Sequence, residues 1–109
     1  MKKLIAGALI ALLAAAALAI PAFAATNKKV QLADNVFKPR TVTIKKGAKI
    51  KFTWTGKAPH NVTVSKGPVK FASSTKSKGT FTKKFTKKGT YTIICTIHAP
   101  SMKMTVKVK

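Results

Sequence analysis

Two histidines, one cysteine and three methionines are the only imidazole and sulfur donors in this 109-residue chain. Three of these scarce side chains fall together in Cys95-Thr96-Ile97-His98-Ala99-Pro100-Ser101-Met102. Thiolate, imidazole and thioether are soft donors that select copper, and two imidazoles with a thiolate and a weak axial thioether are the arrangement used for electron transfer. The second imidazole has one source, His60, in Pro59-His60-Asn61-Val62. Singly, each residue has a plainer reading. A lone buried Cys is commonly a small apolar filler, a His beside a turn is usually solvated, and a Met on a strand with Val106 and Val108 is ordinary core. The joint spacing outweighs those readings and makes His60, Cys95, His98 and Met102 the expected metal ligands.

Other chemistry finds no support in the residue types. The chain has a single acid, Asp34, so no carboxylate pair exists for acid–base work. It also has no Ser/His/Asp set and no Gly-rich phosphate loop, and an enzyme is not expected.

The elements that must position these donors read as strands. Val42 and Ile44 alternate with Thr41 and Thr43, and Ile50, Phe52 and Trp54 with Lys49, Lys51 and Thr53. The same period of two returns in Val62 and Val64, in Tyr91, Ile93 and Cys95, and in Met102, Met104, Val106 and Val108. Turn residues separate the runs: Pro39, Lys46-Gly47, Gly56 to Pro59, Gly67-Pro68, Ser77 to Gly79, Lys88-Gly89 and Ala99-Pro100. Short strands with such punctuation predict an all-β sandwich. Cys95 then ends an inward-facing run, His98 lies on a tight loop and Met102 opens the next strand. Met102 and Met104 share parity, but same-face neighbours lie about 6.6–6.8 Å apart along a strand, so one copper cannot take both. Met102 is nearer Cys95 and His98 and is assigned as the ligand, Met104 as packing. One misfit remains: Phe81, Lys83 and Phe85 share parity, so Lys83 either snorkels past two aromatics or a bulge resets the register.

The first 24 residues stand apart. Lys2 and Lys3 precede an apolar run from Leu4 to Ile20, then Pro21 and Ala22-Phe23-Ala24, which is the layout of a secretory signal. An uncleaved anchor is the alternative, because the run approaches a marginal span. Residues 25–29 read as a polar leader and 30–109 as the copper-binding domain. The expected location is periplasmic or extracellular, with no membrane span after cleavage. An exported chain with one thiol cannot form an internal disulfide, which itself favours a ligating role for Cys95.

With 22 Lys and Arg the net charge is +21, and removal of Lys2 and Lys3 leaves +19. Such a field favours an acidic redox partner or an anionic envelope surface. Nucleic acid is not expected, because the leader exports the chain and Arg occurs once, at Arg40.

The combination resembles a known family. The Cys95-x-x-His98-x-x-x-Met102 loop, His60-Asn61-Val62, Phe37-Lys38-Pro39, Lys46-Gly47 before Ile50-Lys51-Phe52, and Gly89-Thr90-Tyr91 are similar to the cupredoxins, the plastocyanins, pseudoazurins and amicyanins, from about Val30 onward. The resemblance implies a Greek-key β-sandwich of about seven to eight strands. It also implies one copper ion cycling between Cu(I) and Cu(II) in a monomeric one-electron carrier, and hydrogen bonds from Asn61 to the loop near Thr96. One departure is visible. Amicyanin-like loops place two residues between the His and the Met and plastocyanin-like loops four, whereas Ala99, Pro100 and Ser101 make three here. Two other functions fit the same residues: an envelope copper-binding or copper-delivery protein with the same ligands, and a cationic binder of anionic polymers whose metal site is degenerate.

Overall fold

The computed structural model describes residues 27–109. The signal segment 1–24 and the start of the leader, residues 25–26, lie outside the described residues. Eight strands follow: β1 (Lys28–Ala33), β2 (Val36–Lys38), β3 (Thr41–Ile44), β4 (Lys49–Trp54), β5 (Thr63–Lys66), β6 (Gly79–Lys84), β7 (Gly89–Ile94) and β8 (Lys103–Val108). There is no helix among the described residues. β1 begins at Lys28, inside the segment read from the sequence as leader.

The strands form two four-stranded sheets, ordered β2-β1-β4-β6 and β3-β8-β7-β5. Each sheet is mixed, with β1 parallel to β4 and β3 parallel to β8. The alternation read from the sequence is the alternation of burial: Ile50, Phe52 and Trp54 face inward from β4, Tyr91 and Ile93 from β7, and Met104, Val106 and Val108 from β8. Val30, Leu32 and Phe37 complete the first inner face, Val42 and Ile44 the second. Each such apolar side chain contributes about 1.5–3 kcal/mol on full burial.

The Lys83 alternatives resolve in favour of snorkelling. β4 and β6 pair without a break, Ile50 with Lys83 and Phe52 with Phe81, so no bulge intervenes. β6 is an edge strand, and the Lys83 ammonium reaches out over the Phe71 ring, 5.0 Å from its centroid. The aliphatic stem covers the core while the charge stays at the rim.

The parallel pairing of β1 with β4 matters most for the site. Leu32 lies beside Trp54, and the Thr55 and Gly56 N–H groups both donate to the Leu32 carbonyl, at 2.9 and 3.1 Å. The chain leaving β1 therefore meets the chain leaving β4. β1 turns into β2 through Asp34-Asn35, with Ala33 opposite Val36. Asn35 adopts φ 65°, a left-handed conformation that Asn tolerates better than most residues. Asp34 is thus held at the tip of a hairpin, at the end of the sandwich where His60 and the 95–102 loop also lie.

Candidate metal centre

His60 precedes β5 and is fixed through its own backbone. Its N–H donates to the Lys76 carbonyl at 3.0 Å, and its carbonyl accepts from Lys76 N–H at 3.1 Å and from the Trp54 indole N–H at 2.9 Å. Its side chain is fully buried. Cys95 follows the last residue of β7 and is also fully buried. The loop beyond it is closed by three backbone hydrogen bonds: His98 N–H to Cys95 carbonyl at 3.1 Å, Met102 N–H to His98 carbonyl at 3.3 Å, and Cys95 N–H to Met102 carbonyl at 3.2 Å. His98 is half-buried on this loop.

These constraints bring three of the four sequence-predicted ligands together. His60 Nδ1 lies 3.3 Å from His98 Nδ1, and Cys95 Sγ lies 3.9 Å from the first and 3.6 Å from the second. The fourth, Met102, is fully buried beneath the loop. In the β7–β8 ladder Ile93 faces Met104 and Ile94 faces Lys103, so the register carried one step further sets Met102 opposite Cys95. Directly opposed side chains have Cβ atoms about 4.5–5.5 Å apart. Met104 is opposite Ile93, deeper in the core.

The triangle fits a metal ion. A point equidistant from its corners lies about 2.1 Å from each, close to the 2.0–2.3 Å that imidazole nitrogen and thiolate sulfur take with a first-row divalent metal. Two imidazole nitrogens, one on the buried His60 and one on the half-buried His98, and a sulfur converging at these distances, with no carboxylate among them, form a donor set suited to copper.

Asn61 fixes the loop to the His60 segment. Its side-chain amide N–H groups donate to Thr96 Oγ1 at 2.8 Å and Thr75 Oγ1 at 3.0 Å, and its Oδ1 accepts from the Thr96 N–H at 3.1 Å and the Thr63 hydroxyl at 2.8 Å. This reciprocal pairing with Thr96 is the one expected from the family resemblance.

Sequence reasoning missed Asp34. The only acid of the chain accepts from the Lys57 and Ala58 N–H groups, both at 2.9 Å, and its Oδ1 lies 3.2 Å from His60 Nε2. A carboxylate only accepts, so Nε2 carries a ring proton, the tautomer that leaves Nδ1 to face the triangle as a donor to a metal. The Ala58 N–H, then the His60 ring, hold the Asp34 carboxyl below its ordinary value. Gly56 makes room: a Cβ there would run into the Asp34 carboxylate and lie 2.7 Å from the Asp34 backbone nitrogen. The one available signal was compositional, a single acid among 22 basic residues in an Asp-Asn turn. Its neighbourhood with His60 depends on the parallel β1–β4 pair, which local pattern does not reveal.

Fold and donor cluster together define a copper-binding cupredoxin domain. A sequence profile of copper binding proteins of the plastocyanin/azurin family matches residues 24–109, and the chain belongs to that family, with one copper ion as its cofactor. Among solved structures it is similar to pseudoazurin from Methylobacterium extorquens AM1, with TM-score 0.66, 27% identity, and coverage of 76% of this chain and 75% of that one. Oxidised plastocyanin from Dryopteris crassirhizoma aligns with TM-score 0.60 and 26% identity over 74% of this chain and 99% of that one. A copper-containing nitrite reductase from Thermus scotoductus SA-01 aligns with TM-score 0.66 and 26% identity over 77% of this chain, which spans only 22% of the reductase's length.

Proposed function

We propose that this chain is an exported type 1 blue-copper protein that carries single electrons, with His60, Cys95, His98 and Met102 as the copper ligands. The observation that carries the reading is the triangle of His60 Nδ1, His98 Nδ1 and Cys95 Sγ, with every edge between 3.3 and 3.9 Å. When bound there, copper would supply a one-electron couple between Cu(I) and Cu(II). The protein's part is rigidity. His60 is held at its backbone and at Nε2, the loop carrying His98 is tied across its base and to Asn61, and Met102 stands opposite Cys95 in the ladder. Donors held this way keep one arrangement for both oxidation states, which suits rapid exchange. His98 is the more exposed imidazole, and beside it stands Ile97, 52% exposed, the exposed large hydrophobic residue among those described. This edge is where an electron would pass to a partner.

Copper delivery with the same ligands is the weaker reading. A donor that hands over its metal needs accessible sulfur, whereas Cys95 and Met102 are both fully buried. Voltammetry separates the two. A carrier gives a reversible one-electron wave, and a delivery protein gives a colourless Cu(I) form that a chelator strips readily.

Met102→Leu tests the axial assignment. Its near-equal volume should cost under about 1.5 kcal/mol of folding stability, while loss of the thioether should raise the reduction potential and alter the copper spectrum. Met104→Leu should leave the spectrum unchanged. A spectral shift in the Met104 variant alone would move the axial position and refute the assignment.

The partner is expected to be acidic. Raising ionic strength from 0.01 to 0.1 M shortens the Debye length from about 30 to about 10 Å, so the second-order rate with an acidic redox protein should fall about tenfold or more. Stopped-flow rates independent of salt would remove electrostatic steering from the account.

A further inference from the structure

The lysines are not evenly arranged. On the outer face of the sheet β3-β8-β7-β5, each lysine of β8 has uncharged neighbours: Lys107 lies between Thr43 and Thr90, and Lys103 is opposite Ile94. The outer face of β2-β1-β4-β6 is built differently. Lys29 is directly opposite Lys51, and Lys49 directly opposite Lys84. Strands lie about 4.8 Å apart and same-face residues about 6.6–6.8 Å along a strand, so these four exposed ammonium groups form a compact lattice. Like charges set directly opposite destabilise a sheet. No acid offsets them, because Asp34 is engaged at the other end of the sandwich.

A shallow hollow of about 250 Å³ opens on this lattice, lined by Asn27, Lys28, Lys29, Lys49, Lys51 and Thr82. Lysines to supply cations, with Asn27 and Thr82 to supply neutral donors, surround it, the residue types a phosphate group needs.

We propose that Lys29, Lys49, Lys51 and Lys84 form a docking face for the phosphate headgroups of an anionic phospholipid bilayer. Three observations favour a bilayer over a redox protein or a soluble polymer. The lattice lies on a broad sheet face rather than in a narrow groove, which suits a planar array of charges. It lies away from the copper end: along β4, Lys49 and Lys51 are about 17 and about 10 Å from Trp54, whose indole holds the His60 carbonyl, at 3.3–3.4 Å per residue. Docking there leaves His98 free for a redox partner. Finally, the apolar run Leu4 to Ile20 precedes in the sequence Asn27 and Lys28, which line the hollow. Where that run is kept uncleaved, an apolar segment and a basic patch on one chain are the pair of signals that gives stable attachment.

The test compares two variants of the full chain with equal loss of charge. One carries Lys29→Gln, Lys49→Gln, Lys51→Gln and Lys84→Gln; the other carries Lys45→Gln, Lys66→Gln, Lys107→Gln and Lys109→Gln. All eight side chains are exposed, and retained copper uptake verifies folding. Sedimentation with phosphatidylglycerol-rich vesicles is read against pure phosphatidylcholine vesicles, so attachment by the apolar run cancels. At about fivefold per lysine near an anionic surface, the first variant should lose at least about 100-fold in the anionic preference and the second less than about fivefold. Equal losses in the two variants would overturn the proposal in favour of diffuse net charge. Tight binding of inorganic polyphosphate without preference for anionic vesicles would overturn it in favour of a polymer.

Discussion

Cys95→Ser is expected to abolish the intense thiolate-to-copper band of the Cu(II)-loaded protein while leaving the sandwich folded. The thiol is fully buried and supplies one corner of a triangle whose other corners are 3.6 and 3.9 Å away. A serine hydroxyl occupies nearly the same volume but stays protonated at neutral pH and is a hard oxygen, so it offers copper neither charge transfer nor a soft bond. Cu(II) affinity should fall by more than the 10–100-fold that loss of an outer partner costs. Folding of the copper-free protein should lose about 1–3 kcal/mol from the added polar group. Urea titration and the visible spectrum of one sample report both effects. Retention of the band in this variant would remove Cys95 from the ligand set.

The second large effect is expected at Asp34. Its carboxylate fixes the His60 tautomer and ring orientation, and it does so from a socket made by Lys57 N–H, Ala58 N–H and the open space above Gly56. Asp34→Ala removes the acceptor from Nε2 and leaves the ring to choose its own proton position. Cu(II) affinity should drop about 10–100-fold, the range found when partners of metal-bound histidines are deleted. Asp34→Asn separates charge from geometry. The amide oxygen can still accept from the ring and the backbone, so affinity should fall less, but the negative charge that favours Cu(II) over Cu(I) is gone and the reduction potential should rise. Gly56→Ala should act in the same direction by displacing the carboxylate. Isothermal titration and voltammetry decide the matter. Unchanged affinity and potential in both Asp34 variants would make the contact incidental.

Asp34 also marks where the sequence stops being readable. The strands that build the site announce themselves locally, because burial on one face of a pleat imposes a period of two, and the inward residues of β4, β7 and β8 follow it without exception. Cys95, His98 and Met102 share one loop, so their convergence needs no distant information beyond a strand ending and another beginning. His60 was reached by scarcity, there being one other imidazole in the chain. The Asp34 contact rests on β1 lying parallel to β4 and on Leu32 being level with Trp54. Long-range register of that kind is set by which faces the whole sandwich buries, not by any window of residues. The same limit applied to Lys83, whose parity pointed at the core and whose escape over Phe71 depends on β6 standing at a sheet edge.

The most direct test of a single His, Cys, His and Met copper site is titration of the purified protein with Cu(II), followed in the visible spectrum. An intense blue thiolate-to-copper band is expected to grow linearly and saturate at one equivalent of copper. A colourless complex, or a spectrum still changing well past one equivalent, would contradict it.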